Sequence, residues 1–283
     1  MKAPDRYRNI IRRQLETDIL SFSSVGGGSI NDCFRLETGK GIFFLKENKA
    51  NAFPGMFEAE KKGLAVLKQA NAFIVPQTFS IDEEEGFSML LMEWLERSTG
   101  NWRDAGKKLA QLHKNTSTTF GLDHDNYIGS LSQSNTRHTT WAEFYTSERI
   151  LPQLKLAREH KKIDAALVIK GEHFCRALHE IFPAEAPALL HGDLWSGNFF
   201  FSTTGPAIFD PAVYYGHREM DLAMTKLFGG FDGAFYEGYE EAFSLEKSWK
   251  SRTEFCNLYP LLVHVNLFGG SYVNDVKTIL GGF

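Results

Sequence analysis

Between Ser21 and Trp94 the apolar residues come in short runs, SFSSV, DCFRL, IFFLK, QTFSI and FSMLLMEW, broken by GGG, ETGKG and DEEEG. Runs of this length, rich in Phe and Ile and bounded by turn residues, predict hairpins and hence an antiparallel sheet. One segment breaks the rhythm. In MFEAEKKGLAVLKQA, Glu60, Gly63, Leu64 and Leu67 recur at i, i+3, i+4 and i+7, so a carboxylate shares the helical stripe that faces the sheet. Beyond Trp94 the period becomes helical. WRDAGKKLAQLHK aligns Trp102, Ala105, Leu109 and His113, WAEFYTSERIL aligns Trp141, Phe144, Glu148 and Leu151 ahead of Pro152, which interrupts or restarts the helix, and DAALVIKGEHFCRALHEIF aligns Leu167, Gly171, Phe174 and Leu178. The pattern predicts an α+β chain, with an N-terminal lobe over 1–93 built of antiparallel sheet and one helix, and a mainly helical C-terminal lobe over 94–283. The Ser-, Thr-, Asn- and Gly-rich stretch between His113 and Trp141 is long for a connection and is a candidate binding segment.

Composition narrows the function classes. The chain has 283 residues, 43% apolar and 13% aromatic, enough for a substantial core. With 31 basic against 35 acidic side chains its formal charge is -4, so no overall positive field attracts a phosphate polymer, and no nucleic-acid partner is expected. Cys33, Cys175 and Cys256 are too few and too far apart for a CxxC motif or a disulfide framework, which fits a reducing, cytoplasmic setting. The first twenty residues are too charged for a signal peptide, and no run is long and apolar enough for a membrane span.

The chemistry concentrates in HGDLWSGN, residues 191–198. The apolar NFFFS that follows, then TTG and PAIFD, predicts a hairpin turning near Thr204, which sets Asn198 opposite Asp210 at its open end beside the loop carrying Asp193. Oxygen-bearing side chains gathered this way suit a hard cation such as Mg²⁺ shared with nucleotide phosphates, leaving Asp193 free to act on a hydroxyl. The order resembles the catalytic loop of the protein-kinase fold, H-R-D-x-x-x-x-N followed by a metal-binding Asp, here His191, Asp193, Asn198 and Asp210. Taken singly, each feature has a plainer reading. An HxD turn is often a cap, GGGSIN is often a hairpin turn, and Lys46 closing IFFLK is often a solvated strand end. Glu60 changes that balance, because a carboxylate on an inward stripe needs a partner and Lys46 is the obvious one. His113 and His264, on apolar helical stripes, read as satisfied core histidines, and Asp221 as a structural support of the catalytic loop.

Taken together, GGGSIND, MFEAEKKGL, LAQLH, FGLDHDNYIGSLSQSN, LLHGDLWSGN, FDPAVYYGHREMDLAM and LYPLLVHVNLFGGSYV resemble the fructosamine or ketosamine kinase family, relatives of aminoglycoside and choline kinases, over about residues 25–274. The resemblance implies a bilobal protein-kinase-like fold and ATP-dependent phosphorylation of a ketosamine hydroxyl, a protein deglycation repair. By motif, it makes Asp193 the catalytic carboxylate and Asn198 and Asp210 the Mg²⁺ ligands. Lys46, steadied by Glu60, contacts the phosphates, Gly27, Gly28 and Ser29 cover them, and the backbone at Glu93, Trp94 and Leu95 receives adenine. Trp195, Tyr215, His217, Arg218 and Glu219 are its candidates for the substrate pocket. The acceptor is a small-molecule or protein-bound ketosamine, and the protein a monomer or a non-covalent dimer. Ser29 stands where many members carry cysteine, which removes the usual site of a redox link. Two other readings stay open: a kinase acting on another amino sugar or amino alcohol, and a nucleotide-binding pseudokinase.

Overall fold

The charged N-terminal run, which the sequence pattern leaves outside any element, folds as helix α1 (Asp5–Leu15), with Asp5 in its first turn and Arg12 and Arg13 in its last, as the helix dipole favours. The computed structural model describes residues 3–26 and 30–283. Strands β1 (Ile19–Ser24), β2 (Asp32–Thr38) and β3 (Gly41–Lys49) are followed by helix α2 (Met56–Gln69) and by β4 (Thr78–Glu84) and β5 (Phe87–Glu93). The five strands form one antiparallel sheet in the order β1-β2-β3-β5-β4. Helix α1 explains why the centre of FSMLLMEW, Met89 to Met92, is apolar throughout instead of alternating. Met89 and Leu91 pack under Tyr7, Ile10 and Ile11 of α1, while Leu90 and Met92 pack against Phe57, Leu64 and Leu67 of α2. A strand covered on both faces has no polar side to show.

The rest of the chain is mostly helical: α3 (Trp102–His113), the short hairpin β6 (Asn126–Ile128) and β7 (Leu131–Gln133), then α4 (Trp141–Phe144), α5 (Leu151–Glu159) and α6 (Ala165–Ile181). Strands β8 (Ala188–Leu190), β9 (Phe199–Ser202), β10 (Gly205–Ile208) and β11 (Tyr214–Gly216) precede helices α7 (Glu219–Leu227), α8 (Gly233–Ala242), α9 (Thr253–Phe268) and α10 (Tyr272–Ile279). Pro152 does not break the chain's helical course. A π-helical turn over Tyr145–Ile150 joins α4 to α5, and the Glu148 carbonyl, which Pro152 cannot serve, accepts Arg149 Nη1 at 3.1 Å. Pro260 within α9 frees the Cys256 carbonyl in the same way, and the Tyr145 hydroxyl donates to it at 3.2 Å. Apolar packing is continuous from α2 and β5 into α3, β9 and α8, so the sheet and the helices share one wall of core on which a site can be held rigidly.

Candidate active site

The HGDLWSGN loop is held from beneath by Asp221, in the first turn of α7. Its carboxylate accepts hydrogen bonds from the backbone N–H groups of His191 at 2.8 Å and Gly192 at 3.0 Å, and His113 Nε2 lies 3.3 Å away. His113 in turn meets the Tyr239 hydroxyl at 2.9 Å through Nδ1. Burial pushes the Asp221 pKa up, but the His113 hydrogen bond, the charges of His113 and His191, and the His191 N–H outweigh it and hold the group below its usual range. Asp221 and His113 are thus structural, as expected. Gly192 is in the left-handed region at φ 83, and a side chain there would collide with the Ala212 carbonyl, so only glycine lets the loop lie this close to the strand beyond Asp210. Replacing Asp221 with Asn puts an amide where at least two donors point, and urea unfolding should show a loss of about 3 kcal/mol.

The β9–β10 hairpin corrects the expected register by one residue. Ser202 pairs with Gly205 and Phe199 with Ile208, so the turn centres between Thr203 and Thr204, and Asn198 faces Phe209, whose N–H donates to the Asn198 carbonyl at 3.2 Å. A slip of one would turn Asp210 to the other face of the ladder. Asp210 escapes because it lies past the last pair in the left-handed region, at φ 57, with its Oδ1 2.7 Å from Lys46 Nζ.

Lys46 also proves to be interior and not at a strand end, since β3 runs on to Lys49. Its ammonium donates to Glu60 Oε1 at 2.7 Å as well as to Asp210. Burial works against the charge, but the two carboxylates outweigh it and hold Lys46 protonated above the ordinary lysine range. One positive charge does not neutralise two carboxylates, and burial pushes Glu60 up to about 7 against the pull of Lys46. Asn198 Nδ2 donates to the Asp193 carbonyl at 2.9 Å, to Asp193 Oδ2 at 3.0 Å and to the Asp210 carbonyl at 3.4 Å. Three acceptors around one end fix the amide's orientation and leave its Oδ1 without a partner among the described residues. Asp193 is pushed up to about 8 by burial and then by the charge of Asp210, with the Asn198 bond opposing.

These groups line one cleft of about 500 Å³, with Lys46, Glu60, Asp193, Trp195, Asn198 and Asp210 at its polar end. No trio of His, Cys, Asp or Glu side chains among the described residues is arranged to hold a metal alone. A cation bound by Asn198 Oδ1 and Asp210 would therefore complete its shell with ligand oxygens, which is how Mg²⁺ is usually held beside phosphates. Cys33 also lines the cleft, and burial pushes its thiol up to about 11, away from thiolate chemistry.

Gly27, Gly28 and Ser29 lie outside the described residues, although Ile30 beside them lines the cleft. The cleft does not extend to Glu93, Trp94 or Leu95; the Trp94 ring lies under Arg35 at 5.4 Å, and the Leu95 N–H makes no hydrogen bond among the described residues. Four expected substrate residues lie away from the cleft: none lines it, and Arg218 and Glu219 are already paired. Tyr215 belongs to the β8–β11 ladder opposite Leu189. His217 is fully buried, 5.2 Å from the Phe182 ring and 6.0 Å from Trp141. Arg218 is clamped by both oxygens of Glu185 at 2.8 Å, and Glu219 by Arg252 at 2.8 and 2.6 Å. Residues to which the sequence reading gives no substrate role line the far side instead: Tyr127, Met224, Phe228, His264, Phe268 and Tyr272. Tyr127 had a signal through the long 113–141 connection, and its hydroxyl reaches the Pro54 carbonyl at 2.9 Å. His264, expected in the core, is a wall of the cleft.

The chain matches the fructosamine kinase family over residues 5–282. It is 43% identical over 263 residues to a protein of Enterococcus faecium named "Probable ketoamine kinase", covering 92% of this chain and 94% of that one. It is 38% identical to the chloroplastic protein-ribulosamine 3-kinase of Arabidopsis thaliana, covering 94% and 83%. A crystal structure from Thermobifida fusca, provisionally described as a fructosamine-3-kinase, superposes with a TM-score of 0.88 at 32% identity over 99% of this chain and 98% of that one. An aminoglycoside phosphotransferase in ternary complex with AMP-PNP and hygromycin B superposes at 0.64 with 13% identity over 98% of each chain, which is a likeness of fold alone. The chain belongs to the fructosamine kinase family, on the protein-kinase-like fold that the two aspartates, the asparagine and the strand lysine announce in its sequence.

Proposed function

We propose that this protein transfers the terminal phosphoryl group of ATP to a hydroxyl of a ketosamine. The observation that carries this reading is the convergence of Lys46, Asp193, Asn198 and Asp210 at one end of a single cleft. Asp193 accepts the proton of the attacking hydroxyl as its oxygen bonds to phosphorus and the bond to the departing ADP breaks. A pKa lifted toward the working pH suits that task. Lys46, held by Glu60, contacts the phosphates, as do Gly27, Gly28 and Ser29, while the backbone at Glu93 to Leu95 receives adenine. A magnesium ion held by Asn198 and Asp210 neutralises charge on the phosphates when bound. Phosphoryl transfer asks little covalent chemistry of the protein, so positioning and charge carry the rate. The three cysteines are free thiols, which suits a deglycation enzyme working in a reducing cytosol.

The rival reading, a kinase acting on another amino sugar or amino alcohol, is disfavoured for polycationic acceptors by the cleft's composition. Its carboxylates are Glu60, Asp193 and Asp210, all at the phosphate end, and the opposite wall holds none. The test is a panel of fructoselysine, ribuloselysine, free fructose and an aminoglycoside with ATP and Mg²⁺, read by the mass gain of one phosphate. Product from the ketosamines and not from the aminoglycoside supports the proposal. A thermal shift with ATP and no product from any acceptor would mark a pseudokinase.

A further inference from the structure

Trp195, two residues beyond Asp193, begins a chain of aromatic contacts leading away from the phosphate end of the cleft. Its ring meets Phe228 edge-on at 6.1 Å, Phe228 lies 5.1 Å from His264, and His264 lies 4.9 Å from Tyr272 and 5.5 Å from Phe268. All five line the cleft. The strip also opens outward, since Phe228 is 41% and Phe268 56% exposed, while most rings of the molecule are buried. Large apolar side chains grouped at the mouth of a cleft and left open to water mark a contact surface more often than chance placement.

His264 gives the strip a polar centre of defined character. Its Nδ1 lies 2.7 Å from the Pro260 carbonyl. A carbonyl only accepts, so Nδ1 carries the proton. Burial holds the ring below the ordinary histidine pKa, so it is neutral and Nε2 keeps its lone pair. No described residue donates to Nε2, and it is not among the buried orphan nitrogens, so it faces accessible space.

We propose that this strip is the subsite for the amine end of the acceptor, with the protonated secondary amine donating to His264 Nε2 and the apolar stem of the amine substituent lying over Phe228, Phe268 and Tyr272. The inference rests on the ketosamine reading above and adds which part of the substrate the far wall selects. With the reacting hydroxyl at Asp193, the amine lies a few bonds away, and the strip starts beside that point. Aromatic faces attract a single cation with apolar substituents, and a wall without carboxylates gives a polycation no compensation.

The test is a series of N-methyl, N-propyl and N-pentyl fructosamines, with KM measured for wild type, Phe268→Ala and Phe268→Leu. In the wild type KM should fall roughly twofold per methylene, half the free energy of full burial, or about 16-fold from N-methyl to N-pentyl. Phe268→Ala should cut that ratio to about fourfold or less, and Phe268→Leu should keep most of it. A ratio near one in the wild type, or an unchanged ratio in Phe268→Ala, overturns the subsite while leaving the ketosamine activity standing. No phosphorylation of any member ends the ketosamine reading, and the subsite falls with it. Phe268 is more than half exposed, so its variants are expected to fold, and a thermal melt verifies this.

Discussion

Asp193→Asn is expected to lower kcat by about 10² to 10⁴-fold while leaving the affinity for ATP within about threefold. The substitution keeps the side chain's shape and one oxygen for Asn198 Nδ2, now 3.0 Å from Asp193 Oδ2, and leaves Lys46, Asn198 and Asp210 in place. What it removes is the carboxylate that, in the proposed mechanism, takes the proton of the incoming hydroxyl. Steady-state kinetics on the best ketosamine, with calorimetry for ATP, separates the two effects, and near-normal turnover would sink the assignment. The same variant carries a stability signature of fixed sign. Because the folded-state pKa of Asp193 is raised to about 8, its contribution to stability is complete below the unfolded value near 4 and is lost as pH rises through the folded one. Asparagine carries no such penalty. Asp193→Asn should therefore melt above the wild type at pH 9, by a margin that shrinks toward pH 5. A margin constant with pH would show that Asp193 ionises freely in the fold.

Lys46→Met is the second large effect, and it acts on both stability and rate. Lys46 and Glu60 have side chains only 3% and 6% exposed, so removing the ammonium leaves a carboxylate in the core at a cost of about 3–5 kcal/mol. Asp210, 48% exposed, can turn to water and adds little. Loss of the positive charge that the proposed mechanism aims at the phosphates is expected to lower kcat/KM for ATP by roughly 10² to 10³-fold. The double variant Lys46→Met with Glu60→Gln distinguishes the two roles, since it no longer buries an unpaired charge. It should regain most of the melting temperature and none of the activity. If both variants unfold alike, the pair is not what the carboxylate depends on.

How much of the site could be read from the chain depends on how far apart in sequence each side chain's partner lies. Asp193, Asn198 and Asp210 fall within eighteen residues, joined by a loop and a hairpin, so spacing alone nearly places them. Even there the register came out one residue different, and the left-handed backbone at Asp210 is what returns its carboxylate to the cleft. Lys46 and Glu60 are joined by a strand and a helix, and an inward carboxylate demands a cation nearby, which makes the pair legible by elimination. YYGHREM was misplaced for the opposite reason. Its charges follow the catalytic loop closely and look available, but Arg218 and Glu219 are each claimed by a residue thirty-three positions away, Glu185 and Arg252. His264 was misplaced because the Nδ1 bond to the Pro260 carbonyl and the aromatic rings around it leave its Nε2 open, which helical periodicity does not reveal.

By itself the sequence determined the class of fold, the polar end of the cleft and the family, because these follow from local periodicity and from polar groups spaced within one or two elements. The far wall of the cleft was decided by tertiary structure alone. It is assembled from Tyr127, Phe228, His264, Phe268 and Tyr272, on elements far apart in the chain. An aromatic side chain has the same sequence signature whether it fills a core or lines a pocket, and only the packing of distant helices leaves one ring against solvent and buries another.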